Sequence, residues 1–239
     1  MENKAIFAII AAAVLFAGCV NIGNERTITT TGDAERQVQP DVAEIFFTVQ
    51  TNDTSAQIAQ DNNSRITAAI VDALKRAGVA SADIETLSYS IQPNIEYDYI
   101  NGKSMQNGFI ANQQIKVTAR DMQKVGTYLS VAVDAGATTI QSVQFSLTKE
   151  HENTLKAEVL AEASAAAKTK AQAIATGLGA KLGPLKTISE SNWRIFPYMY
   201  GGIAEAASAI RTGAPVPPIN PSKVTVTASI TVSYDIIGG

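Results

Sequence analysis

Two side chains suited to nucleophilic, acid–base or metal chemistry occur once each in this chain, Cys19 and His151. Counting alone then removes several chemistries. A disulfide within the chain is impossible, and a cluster of His and Cys ligands or a Cys–His pair in the body of the protein has too few members. A Ser-His-Asp assembly could draw only on His151, which stands at the start of a helical pattern, where a histidine is ordinarily just solvated. Asp41 and Glu44 could serve as acids or ligands, yet a turn and a solvated strand face account for both. Gly177-Leu178-Gly179 with Gly183 has the flavour of a glycine fingerprint, but these glycines follow a helix and precede a strand. Phosphate binding at a helix N-terminus needs the reverse order. Asn52-Asp53-Thr54 and Asn62-Asn63-Ser64 are glycosylation sequons, of consequence only in a host with that machinery. The residues therefore predict no catalytic group, no metal and no cofactor.

Cys19 has a different kind of context. Residues 1–18 have a polar start with Lys4, an apolar run from Ala5 to Ala17 and small residues before the cysteine, the layout of an export signal. The run is short of the roughly 20 apolar residues that span a membrane comfortably. Phe16-Ala17-Gly18-Cys19 resembles the lipobox of prokaryotic lipoproteins, in which the cysteine becomes the lipidated first residue of the mature chain. The expectation is a signal peptide over 1–18, lipidation at Cys19, a tether over 19–25 and a folded body over 26–237 lying outside the cytoplasm. One acyl chain holds a protein only marginally, so a stable anchor needs more than one.

Of the 239 residues 46% are hydrophobic and 17% charged, a globular balance. With 19 Lys and Arg against 22 Asp and Glu the formal charge is -3, and no basic run occurs. Nucleic acid, which demands a cationic footprint, is excluded as an expected partner.

The elements that would position any site follow from patterning. Thr27–Arg36 is rich in Thr and reads as a strand, Val42–Asn52 as a better one, and Val38, Pro40 and Asp41 make a turn between them, so the pair reads as a hairpin. Asp53, Thr54 or Ser55 can cap a helix whose apolar positions Ile58, Ile66, Ala69, Ile70, Ala73, Leu74 and Ala77 keep a helical period until Gly78. A strand near Glu85–Asp98 follows, bent or at an edge because of Pro93. Asn101-Gly102 marks a turn, and Gly108–Arg120 alternates. Asp121 caps a short helix carrying Met122, Val125, Leu129, Ala132 and Val133, closed by Gly136. Thr139–Thr148 returns as a strand with Val143, Phe145 and Leu147 inward. From Val42 the order is strand, helix, strand, strand, helix, strand, the ferredoxin-like βαββαβ arrangement of an α+β protein on an antiparallel sheet.

His151–Gly183 then reads as one long helix, filled with Ala, Glu, Lys, Gln and Leu and stopped by glycines and Pro184. From His151 to Leu178 it would run about 42 Å. Leu155, Val159, Leu160, Ala163, Ala166, Ala167, Ala171, Ala173, Ile174 and Leu178 fall on one broad face. Alanines 157, 161, 165 and 175 lie opposite, either a solvated face or a second contact. Two more strands follow: a weak one over Pro184–Ser191 and the cleanest of the chain over Lys223–Ile236, where Val224, Val226, Ala228, Ile230, Val232 and Tyr234 alternate with polar residues. A helix ending at glycine and leading into a strand recurs in AGVASADIETLSYSI, AGATTIQSVQFSL and GLGAKLGPLKTIS, readable as punctuation or as duplication.

Between those strands Asn192–Pro221 reads as a long loop, and loops of that length in a compact domain carry function or are disordered. Its Trp193, Arg194, Phe196, Tyr198 and Tyr200 are of the types that anchor protein contacts. They also suit a segment that folds back over the sheet.

Taken together these stretches resemble the SIMPL-domain family, the YggE-like envelope proteins, over roughly Arg26–Ile236. The resemblance rests on Gly32, Pro40-Asp41-Val42-Ala43, Gly78–Pro93, Gly108-Phe109-Ile110-Ala111, Val125-Gly126 leading to Ala135-Gly136-Ala137, Val143-Gln144-Phe145, the Ala-rich helix closing at Leu182-Gly183, and Pro221–Ile236. It implies an exported, ring-forming or otherwise oligomeric protein, expected as a homo-oligomer, loosely associated with oxidative and envelope stress, and no catalytic residues to carry over. Many relatives are soluble periplasmic proteins, whereas this chain carries a lipobox. The expected function is a non-catalytic, membrane-tethered scaffold or protective module of the cell envelope. The rival is an extracytoplasmic small-ligand binding protein or an enzyme using carboxylates, which a concave pocket with convergent carboxylates would favour.

Overall fold

The computed structural model describes residues 26–99, 102–200 and 219–238. In chain order they form β1 (Thr27–Val38), β2 (Val42–Asp53), α1 (Ala56–Arg76), β3 (Ile84–Asp98), β4 (Lys103–Ala119), α2 (Val125–Asp134), β5 (Thr139–Ser146), α3 (Lys149–Gly177), β6 (Lys181–Phe196), β7 (Tyr198–Met199) and β8 (Val224–Ile237). The strands divide into a five-stranded sheet in the order β3-β4-β2-β5-β7 and a three-stranded sheet in the order β1-β8-β6. Every strand pair is antiparallel.

The larger sheet is the expected ferredoxin-like unit. Strand β2 lies between β4 and β5, so α1 joins two strands that have β4 between them and α2 joins two that have β2 between them. Alternation decides the buried face. Ala43, Ile45, Phe47 and Val49 of β2 are buried with Ile115 and Val117 of β4 against Ile70 and Leu74 of α1 and Val125 and Leu129 of α2. One member of the α1 face is polar. Asn63 is fully buried and donates from Nδ2 to the Val49 carbonyl at 2.9 Å and the Ala111 carbonyl at 3.1 Å. It fastens the helix to two neighbouring strands.

The smaller sheet packs on α3. Val224, Val226, Ala228, Ile230 and Val232, the predicted face of the last strand, are all buried. They meet Leu155, Val159, Ala163 and Ala167, while Ala171 and Ala175 continue toward Ile28. The buried row on α3 is Leu155, Val159, Ala163, Ala167, Ala171 and Ala175, one residue in every four. Alanine is required where β1 crosses. A Cβ on Gly32 would stand 2.2 Å from the Ala163 carbonyl oxygen and 2.2 Å from the Ala167 nitrogen, so backbone lies against backbone. The buried Thr30 hydroxyl donates to the Ala167 carbonyl at 3.0 Å, and Lys170 Nζ donates to the Thr31 carbonyl. Arg36 closes the far end of the contact with Glu158 and Glu162.

Three particulars differ from the sequence reading. Gln39–Asp41 link the two strands without forming a hairpin turn, and the strands part company: β1 takes β8 as its ladder partner, and β2 enters the other sheet. The face of α3 shifts as it rises, so Ala175 is buried whereas Ala166, Ala173, Ile174 and Leu178 are exposed. The stretch Asn192–Pro221 is not loop throughout, since β6 runs on to Phe196 and Tyr198–Met199 pair with Gln144 and Phe145 of β5. Residues 201–218 of that stretch lie outside the described residues. The recurrent helix-glycine-strand motif has a local meaning. Gly78, Gly136 and Gly179 all have positive φ, and after each the next amide reaches back to the helix, Val79 to Leu74, Ala137 to Ala132 and Ala180 to Ala175. The repetition is a shared helix stop.

Candidate functional site at the junction of the two sheets

The chain passes between the sheets at Gln39–Asp41, at Leu147–Thr148, at Pro197 and again between Met199 and Val224, the last through residues mostly outside those described. Asp41 ties the first two crossings together. Its backbone amide donates to the Ser146 carbonyl at 3.1 Å. Its carboxylate accepts the Thr148 amide at 2.6 Å and the Thr148 hydroxyl at 2.9 Å. His151 Nδ1 stands 2.9 Å from the same carboxylate. Thr148 is in turn the N-cap of α3, its hydroxyl accepting from the His151 amide at 3.4 Å, with Glu150 and Glu152 in the first turn where acidic groups favour the helix dipole.

The electrostatics of Asp41 follow from these contacts. Partial burial alone would push its carboxyl up, but the Thr148 amide, the Thr148 hydroxyl and the His151 ring together hold it below the usual carboxylate range. An imidazole oriented by a carboxylate is the base half of a hydrolytic triad. Here the neighbouring hydroxyl is already spent: Thr148 gives its proton to Asp41 and accepts the cap bond. The arrangement is that of a knot holding β2, β5 and α3 in one orientation.

The other acid weighed beside Asp41 has separate business. Glu44 lies across β2 from Lys116 of β4 at 3.5 Å, and Lys116 also meets Glu85 of β3 at 2.8 Å. The hydrogen bond with Glu85 is the main cause that raises the lysine pKa, over the opposing effect of burial. These three form an ion-paired ladder across the open face of the sheet. Asn52 is exposed on β2 and Asn62 half-buried on α1. Gly177 and Gly179 lie at the end of α3, as the rejected fingerprint requires. Among the described residues no group of three or more His, Cys, Asp or Glu could hold a metal ion.

The five aromatic and basic residues singled out for contact divide by strand alternation. Trp193 packs on the α3 side of the small sheet with Lys156 Nζ 5.7 Å from its ring centroid. Tyr198 stacks on Phe145 with centroids 6.0 Å apart, and Tyr200 packs against the larger core. Arg194 and Phe196 face outward. Cys19 lies outside the described residues.

A further group of exposed apolar residues lies on the β3–β4 arm, away from the residues weighed in the sequence. Strand β2 ends at Asp53, opposite Phe109, while β3 and β4 continue beyond it with no third strand beside them among the described residues. On this two-stranded arm Ile95 is 65% exposed, Tyr97 52%, Tyr99 89% and Met105 61%. The signal available in the sequence was length: 15- and 17-residue strands beside a 12-residue partner must overhang it.

Two antiparallel sheets joined through this junction, with a ferredoxin-like unit followed by a helix lying on a three-stranded sheet, define an α+β protein with an elaborated split βαβ core. The sequence matches the SIMPL family, described as "Protein of unknown function (DUF541)", over residues 28–234, and the chain belongs to that family. It is 31% identical over 191 residues to "Uncharacterized protein YggE" of Edwardsiella ictaluri, covering 78% of this chain and 77% of the relative. It is 30% identical over 209 residues to the protein of the same name from Escherichia coli K12, covering 84% and 83%. A "26 kDa periplasmic immunogenic protein" of Brucella melitensis is 28% identical over 166 residues, 68% of this chain and 66% of the relative.

Proposed function

We propose that this protein is a non-catalytic, oligomer-forming lipoprotein of the cell envelope, tethered through Cys19 and acting as a scaffold or protective module under oxidative or envelope stress. The observation that carries the reading is the β3–β4 arm. A two-stranded ribbon is marginal in water unless a third strand or another layer covers it, and this one holds four large apolar side chains that are more than half exposed. A neighbouring protein surface would supply the cover that the described residues do not. The export signal and lipobox support the location, as does the word periplasmic in the name of the Brucella relatives. Among the described residues no helix is long and apolar enough to cross a membrane.

The experiment that tests assembly is the mass of the full chain, extracted in mild detergent, by multi-angle light scattering: several protomers are expected, and a monomer at micromolar concentration overturns it. Anchoring has its own test. A Cys19→Ser variant is expected to leave the membrane fraction after signal cleavage. The protective role predicts that cells lacking the protein lose viability in peroxide or envelope-stressing detergent, with restoration by the intact gene.

A further inference from the structure

An anchor at Cys19 holds one end of the chain at a bilayer, and the fold decides which part of the body stands there. Seven residues lead from Cys19 to Arg26, and fully extended they reach at most about 25 Å. They enter β1, whose first residue Thr27 pairs with Asp235 of β8, and the Ile236 amide donates to the Arg26 carbonyl at 2.9 Å. The start of β6 lies at the same end of the sheet, with Lys181 opposite Ile237 and Leu182 opposite Ile236. Only Leu178–Ala180 separate it from the last turn of α3. The start of β1, the end of β8, the start of β6 and the end of α3 therefore meet within reach of the lipid.

That end is apolar where it meets solvent. Among the described residues Leu178 is 68% exposed, Ile237 55% and Ile174 40%. Ile174 and Leu178 are four residues apart at the end of α3 and share a face. A Cβ placed on Gly177, Gly179 or Gly238 would meet nothing within 4 Å, so no described segment lies over this end. Basic groups stand among the apolar ones: Arg26, Lys181 and Lys186 against Asp235 and Glu25, in a chain whose formal charge is -3. Lys186 meets Asp235 at 3.5 Å, and Lys181 is exposed. Exposed isoleucine and leucine beside lysine and arginine suit a membrane interface, where apolar groups enter the acyl boundary and ammonium groups reach anionic headgroups. The tether keeps the bilayer at high effective concentration beside this patch, an advantage that no diffusing protein partner has.

Resting on the Cys19 tether of the proposed function, we infer that this end of the smaller sheet is a membrane-contact surface. Ile174, Leu178 and Ile237 seat on the bilayer that carries the anchor, with Lys181 at the headgroups. The protein stands end-on, and β6 runs away from the lipid for roughly 50 Å to Phe196.

The test uses the full lipidated chain in vesicles of phosphatidylethanolamine and phosphatidylglycerol. Cys19 is the only cysteine and lipidation consumes its thiol, so Leu178→Cys and Phe196→Cys each accept one environment-sensitive dye. Both positions are exposed, and circular dichroism is expected to match the wild type. The dye at 178 is expected to shift its emission to the blue and to lose intensity when some of the lipid carries a nitroxide at headgroup depth. The same dye at 196 is expected to do neither. Adding Ile174→Asp and Ile237→Asp to the Leu178→Cys protein should abolish both effects while the protein still floats with the vesicles; serine replaces aspartate if circular dichroism changes. A dye at 178 that stays in water on floating vesicles overturns the contact and leaves the tether standing. A blue shift without quenching places protein over the patch and overturns it too. Equal quenching at 178 and 196 overturns the end-on seating. Wild-type protein that does not float with the vesicles overturns the tether and this inference with it.

Discussion

Gly32→Ala is the substitution that tests how the smaller sheet is seated. The added Cβ would lie 2.2 Å from both the Ala163 carbonyl oxygen and the Ala167 nitrogen and 2.7 Å from the Ala167 Cα, whereas ordinary contact begins near 3.4 Å. Every atom in that set is backbone of α3, so no side chain can rotate away. Strand β1 must withdraw by roughly 1 Å, forfeiting dispersion contacts along the row. Overpacking of this kind costs about 1–3 kcal/mol. Withdrawal also stretches the buried Thr30 to Ala167 bond, worth about 1 kcal/mol net. A total near 3 kcal/mol corresponds to a fall in Tm of roughly 6–12 °C for a chain of this size. Thermal unfolding of the full chain followed by circular dichroism is the assay. Gly177→Ala is the control, because nothing lies within 4 Å of its added Cβ and its φ is not positive. In the last turn of α3 it is expected to leave Tm unchanged or raise it slightly, by less than about 1 kcal/mol of helix propensity. A Gly32→Ala protein melting within about 2 °C of the wild type would refute the backbone-to-backbone seating.

Asp41→Asn is expected to destabilise by about 2 kcal/mol, since one charged acceptor serves three donors; denaturant titration measures it, and a change below about 0.5 kcal/mol would show the knot to be dispensable. Its pH signature has a fixed sign. The folded state holds the Asp41 carboxyl below its ordinary value, so its contribution is complete above the usual carboxylate range of about 4 and is lost as pH falls through the lowered value. The difference in Tm between wild type and Asp41→Asn should therefore shrink on acidification below about pH 4; a gap that widens there contradicts the assignment. Thr148→Ala removes the cap of α3 and one donor to Asp41, and should cost about 1 kcal/mol in the same titration. Asn63→Ala leaves the Val49 and Ala111 carbonyls without their buried donor and should cost about 2 kcal/mol, whereas an unchanged midpoint would place water at those carbonyls.

The fold was legible where one periodicity sufficed. Strand β8 alternates so cleanly that its buried face reads directly from Val224 to Val232, and the βαββαβ order emerges from caps, glycine stops and alternating strands. Partner choice was less accessible. Nothing local in Thr27–Val38 separates pairing with β2 from pairing with β8; the decision is made by α3, whose alanine row accepts Gly32 at backbone distance, a contact more than 130 residues away in sequence. In the sequence Asp41 reads as a turn residue and His151 as a solvated one, because the geometry joining them depends on that same docking. Thr148 carries a readable signal: a threonine followed by Glu150 and Glu152 is a helix start, three residues before His151.

The misplaced face of α3 has a geometric cause that also explains its composition. A residue in every four advances 400°, so each step drifts about 40° and the row from Leu155 to Ala175 winds roughly 200° round the helix over about 30 Å of rise. A straight stripe drawn on the first turns therefore retains Ala173 and Ile174, which are exposed, and misses Ala175, which is buried. Only a twisted sheet can follow such a line, and β1 and β8 must wrap the helix to stay in contact with it. Wrapping brings strand backbone closest in the middle of the row, where the side chains are Ala163 and Ala167 and the facing residue is Gly32. Larger residues are admitted where the sheet stands off, at Leu155 and Val159. The alanines on the winding line are thus fixed by the twist of the sheet, and the exposed alanines at 157, 161 and 165 are not under that constraint. Substituting Ala157 with Glu should leave Tm within about 2 °C of the wild type, whereas Ala167→Val, placed under β1, should lower it by an amount comparable to Gly32→Ala, roughly 6–12 °C. Equal effects at the two alanines would mean that the row does not wind as described.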